Sequence, residues 1–346
     1  MKRHFFLYTY LVFLTANFLE AQEVGEFSND SQKGSSGVFV AAKKIKDSIY
    51  SLTYGTNNAV AFLGREYTLL VDGHDAKAAP KTLNTAGRLS LNPVRFLINT
   101  NHNKNNTGGN AYYSDSGVTV MCNQQTYNNI WIDSNSEELD RMKSLKEAYS
   151  RKIKGNKEVN EEVNAKYSKL QSKNIEQELP YSVFVISDNM SINLVNEKIK
   201  IIKTHNAHSS GDLIVFFKKN NVIACGDLFL SGKYPYIDEK MGGDIDNLLM
   251  AIDYILKIAN DETVLIPGRG PIASKEDLKA YKRMIEYTQR GVQMDYLLGK
   301  TLEEVISNKS ITANYDNKGY GNGLVKTQDY LQMLYRSAMK RYPKNK

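Results

Sequence analysis

The chain has 346 residues, of which 41% are hydrophobic and 24% charged, and a formal net charge of +7. Such a chain can bury a large core, as one large or two small domains, and is neither disordered nor low in complexity. Its cations are spread out and not interleaved with aromatic residues, which excludes a nucleic-acid site.

The first residues read as an export signal. Lys2-Arg3-His4 is basic, residues 5–18 are mostly apolar, and Ala21 is a small residue ahead of Gln22. The apolar run is too short to span a bilayer comfortably, so removal of residues 1–21 is expected. The mature chain would then be periplasmic or secreted, with no membrane span left. Residues 22–36 are polar and Gly/Ser-rich and read as a flexible arm. Cys122 and Cys225 sit in separate apolar strands, so buried free thiols are expected over a bridge.

Strands are expected at 38–40, 49–52, 59–63 and 67–71, with Gly55 and Gly64-Arg65-Glu66 as hairpin turns. A helix over about 76–90 leads to a strand at 94–98, and another strand follows at 118–122. Residues 136–178 change character. They are rich in Lys, Glu and Asn, with apolar residues spaced for one or two amphipathic surface helices, and read as an insertion. Strands resume at 183–186, 191–194, 199–202, 213–217 and 222–229. Asp244 is placed to cap a helix carrying Ile245, Leu248, Leu249, Ile252 and Ile255 on one face. After a strand at 264–266, helices are expected from Ser274 to about Arg290, from the capping box at Thr301–Glu304, and over about 327–341. This alternation suits a single α/β domain over residues 37–346.

Four motifs carry the chemistry. Thr100-Asn101-His102-Asn103-Lys104-Asn105-Asn106 runs into Gly108-Gly109-Asn110. Further on come Ala207-His208-Ser209-Ser210-Gly211-Asp212, Gly226-Asp227, and Pro267-Gly268-Arg269-Gly270-Pro271. In order and spacing these resemble the metallo-β-lactamase superfamily, across roughly residues 38–342. The Tyr234–Asp238 loop, Gly242-Gly243 and the 298–305 segment resemble an exported bacterial branch of it. The resemblance implies an αββα sandwich, two packed mixed sheets flanked by helices, with the site at one edge.

In active relatives the same positions hold one or two zinc ions. Here Asn101 and Asn103 replace paired His, Asn105 replaces Asp, Asn106 replaces His, and Arg269 replaces the last His. Only His208 and Asp227 remain. A neutral amide is a poor zinc donor, and a guanidinium has no lone pair to give. No zinc is therefore expected. An Arg269–Asp227 pair within an amide network is expected to fill the former pocket, since a buried carboxylate needs a partner. His74, His102, His205, Tyr234, Gly242 and Gly243 are placed at the pocket rim. A surface-loop role is the plainer reading for His74, and the His102 side chain should point away from the metal positions.

Two readings follow. One is a zinc-free relative that binds a small-molecule or protein ligand, with Arg269 as an anion anchor. The other is a residual metal-dependent hydrolase of esters, lactones or β-lactams, using His208, Asp227 and a donor foreign to the family. His205 is the nearest candidate for that donor. Partner docking through the 136–178 insertion is a third, weaker idea.

Overall fold

The computed structural model describes residues 39–136 and 178–343. The stretches expected as export signal and arm, and nearly all of the expected 136–178 insertion, lie outside the described residues. Two mixed sheets are formed. The first runs β1 (Ala41–Lys46), β2 (Ile49–Tyr54), β3 (Asn57–Leu63), β4 (Thr68–Val71), β5 (Val94–Ile98), β6 (Thr119–Asn123) and β7 (Val183–Ile186), paired in that order. The pairs from β4 to β7 are parallel, and those from β1 to β4 antiparallel. The second sheet pairs β8 (Met190–Asn193), β9 (Lys198–Lys203), β10 (Leu213–Phe217), β11 (Val222–Leu230) and β12 (Val264–Arg269). A single residue pair, Asn57 with Arg269, joins the two along β3 and β12.

The period-2 alternation of strand side chains sorts residues into layers. Val60, Phe62, Leu69 and Val71 of the first sheet meet Leu213, Val215 and Phe217 of the second in one buried core. Their sequence neighbours Ala59, Ala61 and Leu70 face the other way, onto Ala79 and Ala86 of helix α1 (Ala79–Leu89). Ile214, Phe216 and Ile223 likewise pack under the helices Ile245–Ile258, Lys275–Leu297 and Thr327–Arg341. Both faces of each sheet are thus covered, giving an αββα sandwich. Cys122 and Cys225 are buried free thiols.

The helix caps match the sequence reading. The Asp244 carboxylate accepts from the backbone N–H of Asp246 and Asn247, and Ser274 and Thr301 each close a capping box. Several elements differ from that reading. Residues 39–40 are not strand, and the edge strand begins at Ala41. Its exposed Ala-Ala-Lys-Lys lacks the apolar alternation of a half-buried strand. Short helices α2 (Lys104–Thr107) and α3 (Asn110–Asp115) and helix α4 (Gln124–Ser134) were not expected. The helix from Lys275 runs on to Leu297.

Candidate functional site

β5, β9 and β12 all run toward one end of the sandwich, and β11 reaches it through an irregularity. Its register against β12 shifts on both sides of Gly226. Gly226 has φ +52°, and a Cβ there would collide with the Thr100 side chain. The bulge aims Asp227 inward. Gly268 allows the approach from the other side, since a Cβ would lie 2.6 Å from Asp227 Oδ1.

Asp72 sets the loop after β5. It accepts from the Thr100 backbone N–H and from Thr100 Oγ1, both at 2.8 Å. Burial raises its pKa from 3.8 to about 8 against those two bonds, with Asp227 adding to the rise. Between those values the folded chain holds a proton that the unfolded chain has released. Its stabilising contribution is therefore full below pH about 3.8 and lost as pH rises through about 8. Thermal midpoints measured across this range should fall with rising pH more steeply for the wild type than for Asp72→Asn. Parallel curves would refute the assignment.

From that loop a chain of amides reaches Asp227. Asn101 Oδ1 accepts from Asn106 Nδ2 at 3.0 Å and from the Asn103 backbone N–H at 2.9 Å. Asn101 Nδ2 and Asn103 Nδ2 both donate to Asp227 Oδ2, at 3.3 and 2.6 Å. Arg269 enters from the end of β12. With the Asn105 amide oriented to satisfy its neighbours, its oxygen accepts from Arg269 Nη1 at 3.1 Å and Nη2 at 2.9 Å. Arg269 Nε stands 3.5 Å from Asp227 Oδ1. That contact is an ion pair by distance only, because neither atom has a hydrogen-bond partner. The expected Arg269–Asp227 pairing is thus present as a charge contact, and the directed bonds of the guanidinium go to Asn105. Burial pushes the Asp227 carboxyl up. His208, Arg269 and the Asn103 and Asn101 amides outweigh it and hold the pKa below its ordinary value.

His208 is fully buried and held on both sides. Its Nδ1 lies 2.9 Å from Asp212 Oδ1, and its carbonyl accepts from the Asp238 N–H. In the neutral form Nε2 accepts from Asn103 Nδ2 at 3.2 Å. Burial opposes protonation of this ring, but Asp212, Asp227 and Asp238 outweigh it, and its pKa is raised. α4 braces the same loop from outside: Thr126 Oγ1 donates to the Gly211 carbonyl and Asn129 Nδ2 to Ser210 Oγ. The seven positions singled out by the resemblance, Asn101, Asn103, Asn105, Asn106, His208, Asp227 and Arg269, therefore converge on one network.

The expected rim residues disperse. His74 is no surface-loop histidine. It is buried, with Nδ1 on Thr82 Oγ1 at 2.8 Å and Nε2 on the Asn57 carbonyl at 3.3 Å. Burial lowers its pKa. Tyr234 lies in the core, stacked on Tyr330 at 4.3 Å with its hydroxyl donating to Asp316. His205 is exposed, whereas His208 is fully buried. Gly242 and Gly243 form the back of the His208 loop, where a Cβ on Gly243 would overlap the His208 carbonyl. His102 is buried, its Nε2 3.2 Å from Asp238 Oδ2 and its ring 6.2 Å from that of His208. The sequence reading passed over Asp212, Asp238 and Tyr236, whose ring is 5.6 Å from His208. All three stood inside the matched motifs.

The residues do not fit zinc. A catalytic zinc site takes three His, Cys or carboxylate donors. Among the described residues no three such side chains are placed to hold a metal. His208 and Asp227 supply two donors, the amides are weak ones, and the guanidinium stands beside Asp227.

No protein-family model and no curated protein matches this sequence. Solved structures do match. A metallo-β-lactamase from Pontibacter korlensis is similar over 72% of this chain and 99% of its own, at 15% identity and TM-score 0.52. DIM-1 metallo-β-lactamase is similar over 71% and 97%, at 14% identity and TM-score 0.52. At such identities the likeness concerns the fold alone, and it agrees with the layers described above: the chain has the metallo-β-lactamase fold.

Proposed function

We propose that this chain is an exported, zinc-free relative of the metallo-β-lactamases whose former catalytic pocket serves binding or structure instead of hydrolysis. The observation that carries this reading is Arg269. It lies in the Pro267–Pro271 motif, which resembles the one that carries the last zinc-ligating histidine of active relatives, and its guanidinium is clamped on Asn105 with Nε 3.5 Å from Asp227. A fixed cation there meets the need of the buried carboxylate for a counter-charge and repels a divalent ion. The ligand of such a pocket is a small molecule or a protein segment with an acidic group, for which Arg269 is the anchor.

A residual metal-dependent hydrolase is the competing reading. It draws on His208 Nε2 and Asp227 Oδ2, which share one neighbour, Asn103 Nδ2. Chromogenic β-lactam, lactone and carboxylic-ester substrates, each with and without added zinc, separate the two. We expect no zinc-dependent turnover above buffer. Turnover that a chelator abolishes and Asp227→Asn removes would overturn the zinc-free reading.

A further inference from the structure

The end of the sandwich opposite the amide network is built from hairpin tips that hydrogen bonds fasten to one another. Glu197 is buried. Its Oε1 accepts from the Lys198 and Lys219 backbone N–H, and its Oε2 from the Asn220 N–H and Nδ2. One carboxylate thus ties the β8–β9 turn to the β10–β11 turn. Asn220 Oδ1 accepts from the Ser48 N–H of the β1–β2 turn. Asn92 Nδ2 donates to the Gly64 and Arg65 carbonyls, joining the β3–β4 turn to the loop before β5. A groove of about 360 Å³ runs between the 62–67 and 193–196 turns.

This end presents two kinds of side chain. Lys46, Arg65, Lys198, Lys218 and Lys219 are exposed there, against exposed Asp47, Glu66, Asp261 and Glu262, of which Asp261 stands 4.0 Å from Lys275 Nζ. Between the cations, two aliphatic side chains stand at loop tips: Leu91 is 105% exposed and Val195 81%. An aliphatic tip in water gains from burial in an acyl layer, and flanking Lys and Arg gain from an anionic surface. A protein groove partner would leave the protruding tips uncovered, whereas a planar layer takes up tips and cations together. We infer that this end docks on an anionic lipid bilayer, which would leave the Arg269 pocket facing away from the membrane.

The test uses the full chain and sedimentation with vesicles of phosphatidylglycerol and phosphatidylcholine, or of phosphatidylcholine alone. The apolar 5–18 stretch is the same in every sample, so differences between variants report on the loop surface. The exposed triple variant K198E/K218E/K219E should lose roughly tenfold or more in affinity for anionic vesicles. L91S/V195S should weaken binding severalfold while keeping its salt dependence. Wild-type binding should fall steeply as salt rises, since screening shortens the reach of surface charge. Thermal melts confirm that the variants fold. Equal binding of wild type and triple variant to anionic vesicles would overturn the inference. So would a triple variant that alters the oligomeric state in the absence of lipid, which points to a second copy as the occupant. A soluble polyphosphate bound as tightly as the vesicles, and indifferently to L91S/V195S, would overturn it as well.

Discussion

After incubation with excess zinc and exhaustive dialysis, the wild-type chain should hold less than about a tenth of an equivalent, given so poor a donor set. The variant N101H/N103H/N105D/N106H/R269H should hold at least one. The expectation rests on convergence. Asn101 and Asn103 both reach Asp227 Oδ2, Asn103 also reaches His208, Asn106 reaches Asn101, and Asn105 meets Arg269. Side chains that already touch need little backbone movement to become a ligand sphere. Asp212 already orients His208 through Nδ1, as a ligating imidazole requires. Metal content, read beside a thermal melt of each protein, decides. A folded variant that stays empty would show that the loop geometry has drifted along with the side chains. Tightly held zinc in the wild type would defeat the zinc-free reading itself.

Arg269→Ala should be among the most damaging single changes in the chain. It removes the fixed cation beside the Asp227 carboxylate, which is 2% exposed, and leaves it with His208 and the Asn101 and Asn103 amides. Removing one partner of a buried ion pair costs about 3–5 kcal/mol. For a chain of this size that is a fall in thermal midpoint of roughly 5–10 °C. The control is the neutral pair Asp227→Asn with Arg269→Gln. If charge compensation is what matters, the double variant should regain more than half of the loss, and a double-mutant cycle should show strong coupling. Additive losses would mean that Arg269 acts by packing and by its bond to Asn105.

Much of this was legible because local rules and long-range packing agree. Asp244, Ser274 and Thr301 announce helices through their own side chains, and the caps form as read. One missed element, α4, is buried largely through polar side chains. α4 buries Thr126 and Asn129 against the His208 loop, so it carries no apolar stripe for a periodicity argument to find. Side-chain direction was the weakest inference. Tyr234 neighbours Tyr236 in the sequence, yet it turns into the core because its stacking partner, Tyr330, arrives from the last helix. His74 was read as a loop histidine because nothing local reveals Thr82, one helix turn into α1. Convergence of the site residues was readable only through the resemblance, since Asn101 and Asp227 lie 126 positions apart.

The lone pairing of Asn57 with Arg269 has a mechanical consequence. β3 and β12 meet nowhere else as strands, and Asn58 fastens the crossing by donating to the Pro267 and Gly270 carbonyls. The residue that supplies the pocket's cation is therefore also the stitch between the two halves of the sandwich. An occupant that draws the guanidinium off Asn105 should therefore also disturb the backbone pairing at the seam. Amide exchange at 56–58 and 269–270 would serve as a strain gauge for whatever enters the pocket.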